Sequence, residues 1–236
     1  GYSNDPKVEL NSIFRKSGTR INFPFNVLEQ AKKATTRLSE KDLNNRRDLT
    51  DWITFTIDGE TAKDFDDAIS LELTDVGFKL GVHIADVSHY VKKNSAMDKE
   101  AFERGTSIYF PNGVIPMLPF ELSNNTCSLK PNLKRLTLTA LIDFDREGKV
   151  IDSDFFKSII KSRIRFTYTE VAHLLKEGNT EKKYAEVANI LKNMHRLSKT
   201  LREQRYKSGS VNFQVPEPEI HMNSKGVVEK VTKVQH

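Results

Sequence analysis

Between Thr56 and Ala68 the chain reads Thr-Ile-Asp-Gly-Glu-Thr-Ala-Lys-Asp-Phe-Asp-Asp-Ala, which places Asp58, Asp64, Asp66 and Asp67 within ten residues. Any fold that accepts this stretch must give four like charges a reason to sit together. Two carboxylates about 4 Å apart repel by roughly 4 kcal/mol at an effective dielectric of about 20. A divalent cation removes that penalty.

The flanks indicate how the aspartates are mounted. Ile53 to Ile57 and Ala68 to Leu73 are short runs of bulky residues, the pattern of strands, so the cluster is expected in a loop between two strands of a sheet. A sheet is a rigid support for a loop site. Carboxylate oxygens with no accompanying His/Cys set suit Mg²⁺, Mn²⁺ or Ca²⁺ and argue against zinc. A helix-loop-helix calcium site needs alternating acidic residues followed by Gly, whereas Ala68 follows Asp64-Phe65-Asp66-Asp67 here. The alternative of a plain solvated acidic loop is opposed by Phe65, Ala68 and Ile69, which are too apolar for a loop lying free in water.

With these residues in view, Ile57 to Ala68 strongly resembles the metal-site motif of the ribonuclease II/ribonuclease R exoribonuclease family. Further segments match in the same order: His83-Ile84-Ala85-Asp86-Val87-Ser88-His89-Tyr90-Val91, Arg104-Gly105-Thr106-Ser107-Ile108-Tyr109-Phe110-Pro111, Ile115-Pro116-Met117-Leu118-Pro119, Glu121-Leu122-Ser123 and Cys127-Ser128-Leu129. The resemblance implies a processive, hydrolytic 3′-to-5′ exoribonuclease that acts on single-stranded RNA and releases 5′-nucleoside monophosphates by a two-metal mechanism. It implies Mg²⁺ as the metal, with Mn²⁺ as the alternative. Asp58, Asp64, Asp66 and Asp67 would be ligands or ligand-orienting groups, with Asp66 and Asp67 catalytic. Tyr109 and Phe213 would stack on the terminal bases. The implied partner is the 3′ end of single-stranded RNA, with no DNA and no membrane, in the cytoplasm.

The same resemblance divides the chain. Residues 1–43 look like the end of a preceding cold-shock/OB-type unit plus a helical connector, and 44–236 like the N-terminal portion of the catalytic domain. Family members continue with a largely helical half that supplies an arginine and a glutamate near the scissile phosphate. The expected domain is therefore incomplete here, and the alternative reading is a fragment or relative that binds RNA without cleaving it. A third reading is a Ca²⁺-stabilised scaffold.

Composition bears on partners. The 236 residues carry a formal charge of +5 with 37% hydrophobic and 29% charged residues, a balance of soluble globular domains. Because the presumed site is acidic, the Lys and Arg surplus must lie elsewhere, as expected if a basic surface holds phosphates. No apolar run approaches the ~18 residues of a membrane span, and the single cysteine excludes an internal disulfide.

The fold class expected is α+β, a mixed, mostly antiparallel sheet with packing helices, including one long amphipathic helix. A helix is expected from about Val27 to Thr36, a hairpin from Ile69 to Leu73 and Phe78 to Asp86, and a helix from Asp98 to Glu103 stopped by Gly105. Asp86 would orient the metal site or cap the turn that follows, and His83 and His89 read as packed or surface residues. Tyr109 taken by itself reads as a core tyrosine, and Cys127 as a small core residue. Strands are expected from Arg135 to Phe144 and from Val150 to Phe166, where Lys157, Lys161, Arg163 and Arg165 recur mostly at period two as a candidate phosphate track. A helical region from Thr167 has Thr169 as its cap and Gly178 as its stop. Glu181 to Lys207 carries Tyr184, Val187, Leu191, Met194, Leu197 and Leu201 at helical spacing. A strand through Phe213 and a closing hairpin, Ile220 to Asn223 with Val227 to Val234, complete the expected elements.

Overall fold

The computed structural model describes residues 6–16, 18–34, 38–111, 113–177, 184–211, 216–223 and 226–234. In chain order its elements are α1 (Pro6–Lys16), α2 (Phe25–Ala34), α3 (Glu40–Leu43), β1 (Arg47–Asp48), β2 (Phe55–Asp58), β3 (Asp67–Leu73), β4 (Gly77–Ala85), α4 (Val87–Tyr90) and α5 (Ala96–Arg104). There follow β5 (Ile108–Phe110), β6 (Gly113–Ile115), a π-helical turn (Leu122–Thr126), β7 (Lys134–Asp145), β8 (Val150–Lys161), β9 (Ile164–Thr167), α6 (Tyr168–Glu177), α7 (Ala185–Lys207), β10 (Glu217–Met222) and β11 (Val228–Val234). This is the expected α+β class. The chain forms two compact units, residues 1–34, 91–120 and 211–236 in one, and 35–90 with 121–210 in the other.

In the larger unit the strands hydrogen-bond in the order β1-β8-β7-β4-β3-β2-β9. Only Ser162 and Arg163 separate β8 from β9, and β1 leads into β2 through residues 49–54 with a turn at 50–52, so each end of that order is followed along the chain by a strand within it. β1 lies parallel to β8 and β2 parallel to β9. Between the two pairings the paths stay joined, because the Leu49 N–H donates to the Ile159 carbonyl and the Arg163 N–H to that of Thr54. The sheet thus closes on itself as a barrel, with β1/β2 and β8/β9 each acting as one bent strand between β3 and β7.

Alternation along a closed strand sends successive side chains in and out. Phe55 and Phe166 point out, beneath Leu174 of α6 and Val187 and Leu191 of α7, and their rings meet edge to face at 5.5 Å. Leu71, Phe78 and Phe144 also point out and pack with Leu197 of α7. The seam of α7 is the expected amphipathic stripe.

The intervening residues face inward, and many of them are polar. Thr54, Thr56, Ser70, His83, Thr137, Thr139 and Ser158 are at most 2% exposed. The His83 imidazole bridges the Ser70 hydroxyl at 2.9 Å and the Thr139 hydroxyl at 2.8 Å. Thr139 continues to Ser158 at 2.6 Å, and Ser158 to Thr137 at 2.6 Å. Gly81 makes room for the ring: a Cβ there would stand 2.3 Å from the Ser70 hydroxyl and 2.8 Å from the His83 Nε2.

Helix ends are set locally. Ser95 caps α5 by accepting from the Asp98 N–H, and Gly105 at φ 71° ends it. At α6 the cap is Thr167, not Thr169. Its hydroxyl accepts from the Glu170 N–H while the Glu170 carboxylate accepts from the Thr167 N–H, a reciprocal box that requires the acid three residues on. Gly178 lies outside the described residues.

The smaller unit packs α2 against α5, where the Met97 N–H donates to the Gln30 side chain. Arg104 ties it together by bonding to Glu100 and to the carbonyls of Pro116 and Asn22, with its guanidinium 3.7 Å from the Phe23 ring centre. The hairpins β5–β6 and β10–β11 belong to the same unit.

Burial holds the His83 imidazole neutral, with its pKa down at about 4. The unfolded chain therefore binds more protons between pH 4 and about 6.5, and stability falls as pH drops through that window. Comparing the chain with His83→Gln by urea unfolding, the wild type is expected to lose about 2 kcal/mol more than the variant between pH 7 and pH 5. Equal losses would show that the imidazole is not held neutral.

Candidate functional site

β2 ends on Asp58 and β3 begins on Asp67, so the strands themselves fix the outer pair, while Asp64 and Asp66 lie in the connecting loop. Main-chain contacts pin that loop. The buried Phe65 donates its N–H to the Ser128 hydroxyl at 3.1 Å and accepts from the Leu129 N–H at 2.8 Å. Ser128 in turn donates to the Lys63 carbonyl. From β4 the Ala85 N–H donates to the Asp66 carbonyl at 2.9 Å. At the other end, Arg165 of β9 donates to the carbonyls of Gly59 and Glu60, and the Glu60 carboxylate accepts from Thr169 of α6.

The carboxylates feel one another. Burial first, then the charges of Asp67 and Asp64, raise the Asp58 carboxyl, while Thr56 and Arg165 draw it down. The Thr56 hydroxyl is near enough to favour the ionised carboxylate, but in this structure neither its Oγ1 nor the Asp58 Oδ2 reaches full hydrogen-bond geometry with a partner. Asp66 is pushed up to about 6 by desolvation and by the charges of Asp64, Asp67 and Asp58. Its side of the loop is open to solvent, so the like-charge repulsion is the firmer cause.

Among the described residues no three His, Cys, Asp or Glu side chains converge into a ready-made cage. What the loop would offer a divalent cation is a set of hard carboxylate oxygens close in sequence, including the Asp58 Oδ2, which is buried without a hydrogen-bond partner. Cys127 is no competitor, because burial pushes its thiol up to about 12.

Other expected residues fall as follows. Asp86 caps the turn after β4 by accepting from Ser88 and from the His89 N–H, and it also pairs with the almost fully buried Arg46. Burial works to raise the Asp86 carboxyl, but Ser88 and Arg46 outweigh it and hold it below the usual range. His83 is sealed in the barrel, and His89 stands 3.2 Å from Asp42. Tyr109 lies on the β5–β6 hairpin of the smaller unit and is 70% exposed, so it is no core residue. Phe213 lies outside the described residues.

The basic run does not form one track. Lys157 and Lys161 belong to β8, whereas Arg165 is on β9 beside β2 and bonds to the acidic loop. Ser128 and the bracing role of Arg165 were not read from the sequence. The position of Arg165 beside the acidic loop depends on the parallel β2–β9 pairing, and that of Ser128 on a contact across more than sixty residues.

Comparison with known proteins gives a consistent result. The RNB domain family model matches residues 46–236. The chain is 43% identical over 232 residues to ribonuclease R of Thermotoga maritima, covering 97% of this chain and 33% of that protein. It superposes with a TM-score of 0.94 on Mycoplasma genitalium ribonuclease R in complex with ribose-methylated single-stranded RNA, at 33% identity, covering all of this chain and 37% of that one. The double-stranded RNA complex of the same enzyme gives a TM-score of 0.93 at 34% identity. The chain thus spans about a third of the length of the curated relatives it matches.

A carboxyl lifted from 3.8 to about 6 favours the folded chain below pH 4, and that contribution is lost as pH rises through about 6. A cation binds the ionised form and reverses the loss. In thermal melts, Mg²⁺ is expected to raise the Tm more at pH 7 than at pH 5, and Asp66→Asn to remove most of the rise. A Mg²⁺ effect that is the same at both pH values and in the variant would disconnect the metal from this loop.

Proposed function

The chain belongs to the RNB-domain family, and from that premise we propose that it is part of a processive, hydrolytic 3′-to-5′ exoribonuclease that acts on single-stranded RNA in the cytoplasm and releases 5′-nucleoside monophosphates. We propose the division into residues 1–43, the end of a cold-shock/OB-type unit with a helical connector, and 44–236, the N-terminal portion of the catalytic domain. The observation that carries the function is the pinned acidic loop, with the Asp58 Oδ2 buried and unpartnered beside three further carboxylates.

Asp58, Asp64, Asp66 and Asp67 would hold Mg²⁺ or Mn²⁺ between them. The metals would supply an activated water and charge stabilisation at the leaving 3′ oxygen. The chain's own contribution is positional. β2 and β3 fix the outer aspartates, and Ser128, Leu129 and Ala85 fix the loop backbone. Tyr109, exposed on its hairpin, and Phe213 would stack on the terminal bases, which reads no sequence because every base offers a π-face. A second reading, RNA binding without cleavage, draws on the absence of a ready-made cage among the described residues.

A 5′-labelled single-stranded RNA with Mg²⁺ separates the two on a sequencing gel. The expected result is a ladder shortening from the 3′ end, abolished by EDTA and by Asp66→Asn. Intact RNA that is nevertheless bound by the folded chain would select the binding reading. Tyr109→Ala is expected to weaken binding of the RNA 3′ end by about 1–3 kcal/mol in a fluorescence titration, and no change would remove Tyr109 from the RNA contact.

A further inference from the structure

We propose that Arg165 is the positioning residue of the acidic loop, bracing it at both ends so that Asp58, Asp64 and Asp66 are held ready for a divalent cation without Arg165 being a ligand. The inference rests on the reading of this loop as a metal site. Three observations carry it. Arg165 lies directly across the β2–β9 pairing from Thr56, two residues from Asp58. Its guanidinium donates to the carbonyls of Gly59 and Glu60, the residues that leave Asp58. Its Cζ is also 5.4 Å from the ring centre of Phe65, which stands between Asp64 and Asp66.

One rigid fork thus bonds the loop where it leaves the strand and stands within cation–π reach of the ring between its aspartates. Only arginine does this, since a lysine ammonium is a single point on a flexible stem and has no plane to set against an aromatic ring. The Arg165 Nε and the Asp58 Oδ2 are both buried without partners. The arginine therefore spends its bonds on the main chain and leaves that carboxylate oxygen open.

The proposal has a sign that separates it from simple electrostatics. Removing a positive charge beside a cation site should tighten cation binding, whereas removing a brace should weaken it. The test is isothermal titration of the full chain with Mn²⁺ alone, comparing wild type, Arg165→Gln, Arg165→Lys and Asp66→Asn, with circular dichroism for folding. Wild type is expected to bind and Asp66→Asn to lose binding. Arg165→Gln is expected to bind about 10- to 100-fold more weakly with its fold intact, the range typical of groups that orient metal ligands. Arg165→Lys keeps the charge but loses the fork, and is expected to fall between the two.

Binding by Arg165→Gln as tight as wild type, or tighter, would overturn the positioning role and leave the metal reading standing. Absence of Mn²⁺ binding in the wild type would overturn both. If Arg165→Gln does not fold, Arg165→Lys decides, and wild-type affinity in that variant overturns the proposal. RNA binding in EDTA should be the same in wild type and Arg165→Gln, and a loss there would instead make Arg165 a phosphate contact.

Discussion

Mutual repulsion among four carboxylates on one short loop is the constraint that the larger unit has to satisfy. The carboxyls of Asp58 and Asp66 are lifted first by burial and then by the charges of their neighbours. The loop is therefore held by forces that do not depend on its charges. Phe65 is buried, its amide and carbonyl are bonded to Ser128 and Leu129, and Ala85 holds the carbonyl of Asp66. These anchors act on the main chain, so the loop geometry does not depend on what its side chains meet.

The barrel supplies the floor beneath the loop. A small barrel is ordinarily filled by aliphatic side chains, but here the inward positions carry hydroxyls arranged around one imidazole. A buried polar chain is costly unless its members are satisfied, and when they are it specifies one register, because a slip would strand several groups at once. The same register delivers Ala85 under Asp66 and places Asp86 next in the chain, locked to Arg46. Arg46 also reaches the carbonyls of Thr137 and Ser158. The end of β4 that supports Asp66 is thereby clamped to β7 and β8.

The sequence made the acidic loop, its flanking strands, the β3–β4 hairpin and the α7 stripe legible, because each rests on local periodicity or local chemistry. It did not show that β4 is covered on both faces, with Phe78 and Leu80 packed beneath α7 and His83 inside the barrel. Leu80, Val82 and Ile84 read as the apolar face, yet Ile84 is 46% exposed while His83 on the other face is sealed. Polar residues inside a closed barrel invert the usual pattern, and closure depends on β1/β2 meeting β8/β9 across more than a hundred residues. The α6 cap was expected at Thr169 instead of Thr167 for a smaller reason: both are equally good cap residues, and only the box with Glu170 decides between them.

The positive charge of the chain also takes on a different meaning. Arg46 is buried against Asp86, Arg104 holds carbonyls in the smaller unit, Arg135 holds those of Ser128 and Asn125, and Arg165 holds Gly59 and Glu60. These guanidinium groups act as forks that gather main-chain oxygens, the use for which their planar donor array is suited. The N–H donors engaged in that way are not offered to a phosphate, although each guanidinium keeps its charge. In the proposed function, grip on the substrate falls to exposed lysines such as Lys157 and to stacking at Tyr109, which is a division between arginines that build the site and other residues that hold the strand.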